Sequence, residues 1–303
     1  MPFAATTPPR LITLICFTPL STLSLNMFLP SLSTMAEEFG VDYGVMTLAV
    51  AGYLVVTAVL MLIVGPLSDR FGRRPVMLWA LAIFTSASLV CSMTESIGAF
   101  LAARVFQGAM ISGWAISSAV VRDTTPPKEA ASKLGYIAMA MAVAPMLGPL
   151  AGGLLDQLLG WRATFLTLTG LGVLCFLLAW FDLGETNKNR SDTMAAQIRS
   201  YPGLLGARKF WGYAVCMAFS VGAFYAFLAG APLVAVGMLR LSPAELGFYM
   251  GTVTAGFSFG AFLSGGYAAR FRLTTMMITG RLVSRAGLTT AVLLFWLGHG
   301  NVL

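Results

Sequence analysis

The chain is 303 residues long, 57% hydrophobic and 10% charged, with a formal net charge of +7. An average soluble domain is about 25% charged, so this composition excludes a water-soluble globule and implies an all-α polytopic membrane protein. The basic residues stand singly between apolar runs rather than along one face, which argues against nucleic-acid binding and makes them topology signals.

Nine apolar segments follow one another, at 11–30, 45–65, 76–94, 98–118, 134–155, 163–183, 211–231, 245–266 and 274–297. Each approaches the length of about 20 residues that carries a helix across the hydrocarbon core. The first, Leu11 to Pro30, is interrupted by Ser21, Thr22, Ser24 and Asn26 and lacks a small-residue cleavage site. It is expected to be a retained helix rather than a signal peptide. With the amino terminus inside, fourteen of the nineteen Lys and Arg residues fall in cytoplasmic loops, Arg162 and Arg240 in outer loops, and Arg104, Arg281 and Arg285 within spans. That asymmetry sets the expected orientation in the plasma (inner) membrane, with a cytoplasmic N-terminus.

Between the second and third spans lies Gly65-Pro66-Leu67-Ser68-Asp69-Arg70-Phe71-Gly72-Arg73-Arg74-Pro75-Val76. The glycines are expected to let the link turn tightly, Pro66 and Pro75 to punctuate the flanking helices, and the arginines to hold the link inside the cell. Asp69 suits a helix cap or an arginine partner. Arg122, at the cytoplasmic end of the fourth span, is near enough in topology to pair with it. Such a contact would favour one access state.

This stretch resembles the signature loop of the major facilitator superfamily, Gly-x-Leu-Ala-Asp-Arg-x-Gly-Arg-Lys, with Ser68 for alanine and Arg74 for lysine. In the fourth span Arg104-Val105-Phe106-Gln107-Gly108 resembles the same superfamily's Arg-x-x-Gln-Gly signature, whose arginine is implicated in proton coupling. A guanidinium at this depth costs about 2.5–3.5 kcal/mol on insertion scales, so Arg104 should face a wet cavity or a partner, or else snorkel to the surface. In the fifth span Gly135, Ala144, Gly148-Pro149 and Gly152-Gly153 are spaced like the antiporter signature of drug-exporting facilitators, with Ala144 in place of a glycine. Small residues four apart allow close helix contact, and Pro149 can bend the helix. Asn26-Met27-Phe28-Leu29-Pro30 is similar to the Asp-Met-Tyr-Leu-Pro segment of Bcr/CflA-type drug:proton antiporters. Asn26 cannot titrate, so the proton site carried on that position is missing, although its amide can bind substrate or Arg104.

The resemblance implies a major facilitator fold: an N-terminal six-helix bundle over 1–183, a cytoplasmic linker over 184–210 and a partial C-terminal bundle over 211–303. A shift of 200 positions lays Gly65 on Gly265, Arg70 on Arg270 and Phe71 on Phe271, as parallel repeats would. A complete member has six plus six helices, so the chain is expected to stop after its ninth, three short. The implied activity is secondary active export of small amphipathic or cationic drug-like compounds by alternating access, energised by protons. Movement of a metabolite, or a truncated product without activity, are the alternatives.

Tyr53 and Gln107 can line a cavity in the first half, and Phe219, Phe224, Tyr225, Phe227 and Phe257 offer aromatic surface in the second. No acid is central in any span, so the proton carrier would be a substrate charge, Asp69 or a residue of the absent helices. A lone His299, four unpaired cysteines and the absence of a Walker loop argue against an enzyme, a metal site or ATP-driven transport. The expected partners are a small-molecule substrate, protons and the lipid bilayer. No cofactor and no nucleic acid are expected, and the chain is expected to be a monomer.

Overall fold

A computed structural model describes residues 9–187, 205–237 and 273–294, with positions 203, 252, 256, 259, 260, 263, 296 and 297. All regular structure among them is helical. Seven helical stretches among the described residues are long and apolar enough to cross a membrane, in place of the nine expected. Most of the eighth predicted span lies outside the described residues. The ninth corresponds to a helix over Leu273–Leu294, interrupted by Arg281 and Arg285, that does not count among the seven.

The first span is segmented. It consists of α1 (Leu11–Phe17), α2 (Pro19–Asn26), a 3-10 turn at Leu29–Ser31 and α3 (Leu32–Phe39). Pro19 and Pro30 open their segments, where a missing N–H costs no helix bond. Gly40 ends α3 with φ 64°, a left-handed cap that glycine adopts without steric cost. Asp42 then starts α4 (Tyr43–Phe71) by accepting from the Gly44 N–H at 2.7 Å.

The expected loop at Gly65–Val76 is almost entirely helical. α4 continues through Pro66 to Phe71, and α5 (Arg73–Met93) begins two residues later. The whole turn is Gly72, at φ 103°. Pro66 thus lies inside a helix, and Pro75 sits in the first turn of α5, where proline is tolerated.

The fourth span breaks immediately after Gln107, giving α6 (Ile97–Gln107), a 3-10 turn at Gly108–Ile111 and α7 (Ser112–Thr124). α8 (Pro127–Leu159) runs unbroken through Pro145 and Pro149 and ends at Gly160, φ 80°. α9 (Arg162–Asp182) completes six spans, followed by α10 (Arg208–Gly237) and α11 (Leu273–Leu294).

The chain divides into two compact units, Met1–Gly251 and Thr252–Leu303. In the first, α5 lies along α9 and α6, while α2 lies along α8. Close backbone approach makes this possible. A Cβ on Gly113 would stand 2.8 Å from the Phe17 carbonyl oxygen, and one on Gly172 would strike Thr85. At the Gly40 end, Phe28, Phe39, Phe100, Trp161 and Phe165 form one aromatic cluster with centroid separations of 5.4–6.0 Å. Glu38 fastens it, accepting from Trp161 Nε1 at 2.5 Å and pairing with Arg162. Phe224 and Tyr225 bring α10 onto the same core. Large apolar side chains such as Trp79, Phe106, Leu158 and Phe181 are exposed on the outside, as a lipid-facing surface requires. In the second unit, α11 carries Arg281 and Arg285 on exposed positions.

Candidate functional site

Among the described residues of the first unit the deepest charge is Arg104, at 1% exposure. It does not snorkel. The helix breaks that flank it explain the placement: α6 delivers Arg104 and Gln107 on its last turn, and the segmented first span brings Ser24 and Phe28 against them. Arg104 Nη1 donates to the Ser24 carbonyl at 3.1 Å, Ser24 Oγ at 3.0 Å and Gln107 Oε1 at 2.5 Å. Its Nε donates to the Ala49 carbonyl of α4 at 3.4 Å. The guanidinium carbon also lies 4.3 Å from the Phe28 ring centroid and 4.7 Å from that of Tyr53. A desolvated cation–π contact contributes about 2 kcal/mol, so two of them offset much of the insertion cost.

The neighbouring polar groups are held as firmly. Gln107 Nε2 donates to Ser88 Oγ at 2.7 Å, and Ser88 Oγ donates to the Phe84 carbonyl at 2.7 Å, which turns the Gln107 oxygen toward the guanidinium. Tyr53 donates its hydroxyl to the Ser21 carbonyl at 2.8 Å. Asn26 is fully buried, donates to the Thr22 carbonyl at 2.7 Å and lies beside the Tyr225 hydroxyl of α10. Arg104 Nη2 and Asn26 Oδ1 are buried without a hydrogen-bond partner.

The structure therefore brings Tyr53, Arg104 and Gln107 into direct or shared contact, while Asn26, on the same bend, is held by the Thr22 carbonyl and makes no hydrogen bond to Arg104. It adds Ser24, Phe28 and Ser88, which sequence reasoning did not single out as site residues. Of the aromatic candidates in the second half, Phe224 and Tyr225 are half-buried against the hydrophobic core, Phe219 and Phe227 are exposed, and Phe257 lies outside the described residues.

α8 forms the wall behind the bend of the first span. A Cβ on Gly148 would come 2.9 Å from Asn26 Cβ, and one on Gly152 would fall onto the Met27 carbonyl, 2.6 Å from its carbon. Ala144 is buried, Gly153 touches Pro30 only at van der Waals distance, and Pro149 is half-buried. Gly135 stands apart, exposed, with open space around its Cβ direction.

A second cluster lies at the Gly72 end. Arg73 pairs with Asp69 at 2.5 Å and with Asp123 at 3.1 Å, and its Nη1 donates to Ser68 Oγ at 2.5 Å. The expected partner of Asp69 was Arg122, but no ion pair joins them among the described residues. Arg122 is exposed, and it is its neighbour Asp123, also at an exposed position, that pairs with Arg73. Glu185 accepts from the Arg73 N–H at 3.0 Å, and Asn187 Nδ2 donates to the Asp69 carbonyl at 2.8 Å. Arg74 donates to the Trp180 carbonyl at 2.8 Å and lies over that ring, whereas Arg70 lies over Phe71. Gly65 has open space around it. Asp123, Glu185 and Asn187 were not legible as members of this cluster, because Asp123 comes from the end of the fourth span and the other two from the segment that follows the sixth.

The arrangement holds one buried cation at the centre of a helix bundle and an ion-pair cluster at one end, with no group of His, Cys, Asp and Glu fit for a metal among the described residues. Comparison with known proteins agrees with an assembly of this kind. The family model of the Major Facilitator Superfamily matches residues 14–303. An uncharacterized MFS-type transporter, YdgK of Bacillus subtilis, is 31% identical over 91% of this chain and 69% of its own length. The chloramphenicol resistance protein of Pseudomonas aeruginosa is 35% identical over 77% of this chain, which spans 55% of that relative. Multidrug resistance protein MdtL of Escherichia coli is 30% identical over 88% of this chain and 69% of its own. Among solved structures, a bacterial homolog of the human lysosomal transporter Spinster, inward-facing and occupied, superposes with a TM-score of 0.69 at 19% identity over 89% of this chain and 63% of that one. The human organic anion transporter MFSD10 superposes with a TM-score of 0.64 at 18% identity, over 86% of this chain and 72% of that one. The chain is a membrane protein of the Major Facilitator Superfamily.

Proposed function

We propose that the protein exports small amphipathic, drug-like compounds across the plasma membrane by alternating access, energised by the proton gradient. The observation that carries this reading is the bend of the first span. It places the Arg104 cluster on one side and seats Asn26 and Met27 on Gly148 and Gly152 of α8 on the other. A buried cation in a bilayer is a functional group by default, because its cost is retained only where the charge is used. The names of two relatives, a chloramphenicol resistance protein and a multidrug resistance protein, support the choice of cargo.

In this reading the six-helix bundle over 1–183 and the helices after the 184–210 linker are the moving halves, with the Gly72 end facing the cytoplasm. The Asp69–Arg73–Asp123 cluster favours one access state. Asn26 cannot carry a proton, so coupling runs through the charge of the substrate or through Asp69. The test is accumulation of chloramphenicol and of fluorescent dyes of differing charge in cells deprived of their own exporters. Expression of the protein should lower accumulation of at least one of them, and a protonophore should restore it. Unchanged accumulation across the set sinks the proposal.

A further inference from the structure

Arg104 is a full positive charge that pairs with no carboxylate among the described residues. Its described partners are two backbone carbonyls, a hydroxyl, a carboxamide oxygen and two aromatic faces, all of them neutral. Arg10, Arg73 and Arg162, nearer the ends of the bundle, each pair with an acid, whereas Arg74, at the Gly72 end, rests on the Trp180 carbonyl and ring; Arg104 alone of these lies at 1% exposure. The sequence contains twelve Asp and Glu residues. Ten are described, and none of them forms an ion pair with Arg104. The other two, Asp192 and Glu245, lie outside the predicted span interiors. Gln107 cannot be exchanged for another acceptor by a rotamer flip, because Ser88 fixes its amide. One donor, Nη2, is left without a partner in a site closed to water.

We propose that Arg104 Nη2 anchors the anionic group of the transported molecule, and that the cargo class is therefore amphipathic organic monoanions rather than cations. This rests on the transporter reading above and narrows it. A buried guanidinium that is already held by Ser24, Gln107 and Ala49 is preorganised, so a carboxylate meets a fixed donor and completes the missing charge pair. The same uncompensated charge repels a cation. Phe28, Tyr53 and the half-buried Tyr225 supply the apolar surface that an aryl group needs. α10 packs against this core through Phe224 and Tyr225, and in this proposal the ligand enters where that helix now lies.

The test is a charge series of one shape. 2-Naphthoate, 2-naphthamide and 2-naphthylmethylammonium are titrated by equilibrium dialysis against the purified full chain in detergent at pH 7. The carboxylate should bind at least about tenfold more tightly than the amide, and the ammonium should bind weakest. Arg104→Gln should bring the carboxylate down to the level of the amide, and Arg104→Lys should keep the carboxylate ahead. If Arg104→Gln does not fold, the order within the wild-type series decides alone. Amide or ammonium bound as tightly as carboxylate, or no binding of any of the three, overturns the anion assignment. The transport reading is judged separately, by the export assay in cells.

Discussion

Gly152 lies against the carbonyl of Met27 so closely that a Cβ would overlap the oxygen. This contact joins the fifth span to the bend of the first, and it explains why small residues recur there: α8 bears on the turn that carries Asn26. Gly152→Ala should therefore push the two spans apart. The expected loss is about 1–3 kcal/mol, as for an overpacked core, read as a lower melting temperature in detergent. Gly135→Ala belongs to the same spacing pattern but meets open space, and should stay within about 0.5 kcal/mol of wild type. Equal effects of the two substitutions would show that the pattern is not a packing device.

The turn at Gly72 makes a sharper demand. Its φ of 103° and ψ of 153° belong to a region that only glycine enters freely, and a Cβ would also strike the Glu185 carboxylate. Gly72→Ala should cost about 1–3 kcal/mol. Shortening the obstacle in the double variant Gly72→Ala/Glu185→Ala should recover the steric part and leave the backbone strain. A double variant as stable as Glu185→Ala alone would mean that the conformation carries no strain.

Arg73 is shared between Asp69 and Asp123, with its side chain only 10% exposed. Asp69→Asn and Asp123→Asn should thus be non-additive, with a coupling of about 0.5–3 kcal/mol in a double-mutant cycle on thermal stability. Arg122→Gln, at an exposed position, should change stability by less than about 0.5 kcal/mol. A large effect of Arg122→Gln with additive effects at the two acids would restore Arg122 as the partner of Asp69.

The distribution of what was legible follows from range. Spans were readable because hydropathy is a sum over about 20 residues and tolerates local error. The Gly72 turn was not, since glycines, prolines and charges are turn formers wherever helix bonds are not visible, and Pro66 and Pro75 each fit a helix here. An arginine partner for Asp69 was legible, but not that it is Arg73, because the pair forms across the Gly72 turn between two helices rather than along one helix face. Arg104 and Gln107 stood out as polar residues in an apolar run. Ser24 and Ser88 did not, because a hydroxyl in a span commonly satisfies itself on the preceding turn, as Ser88 does on Phe84. Asp123 and Glu185 were beyond reach for a different reason: their role depends on how three spans meet.

Gln107 offers the most direct check on the charge of the central cluster. Its Oε1 sits 2.5 Å from Arg104 Nη1, so Gln107→Glu installs a carboxylate against the guanidinium with almost no change of shape. The Gln107 Nε2 donor to Ser88 is lost, and Ser88 must then leave the Phe84 carbonyl to donate to the new oxygen, a net loss of about one hydrogen bond or 0.5–1.5 kcal/mol. Against this stands a charge-assisted bond of about twice the strength of a neutral one. The melting temperature should consequently hold within a few degrees, whereas export should fall at least about tenfold, because the vacant charge that a ligand needs is filled from within. Export at the wild-type rate by a stable Gln107→Glu variant would show that the charge of Arg104 takes no part in transport.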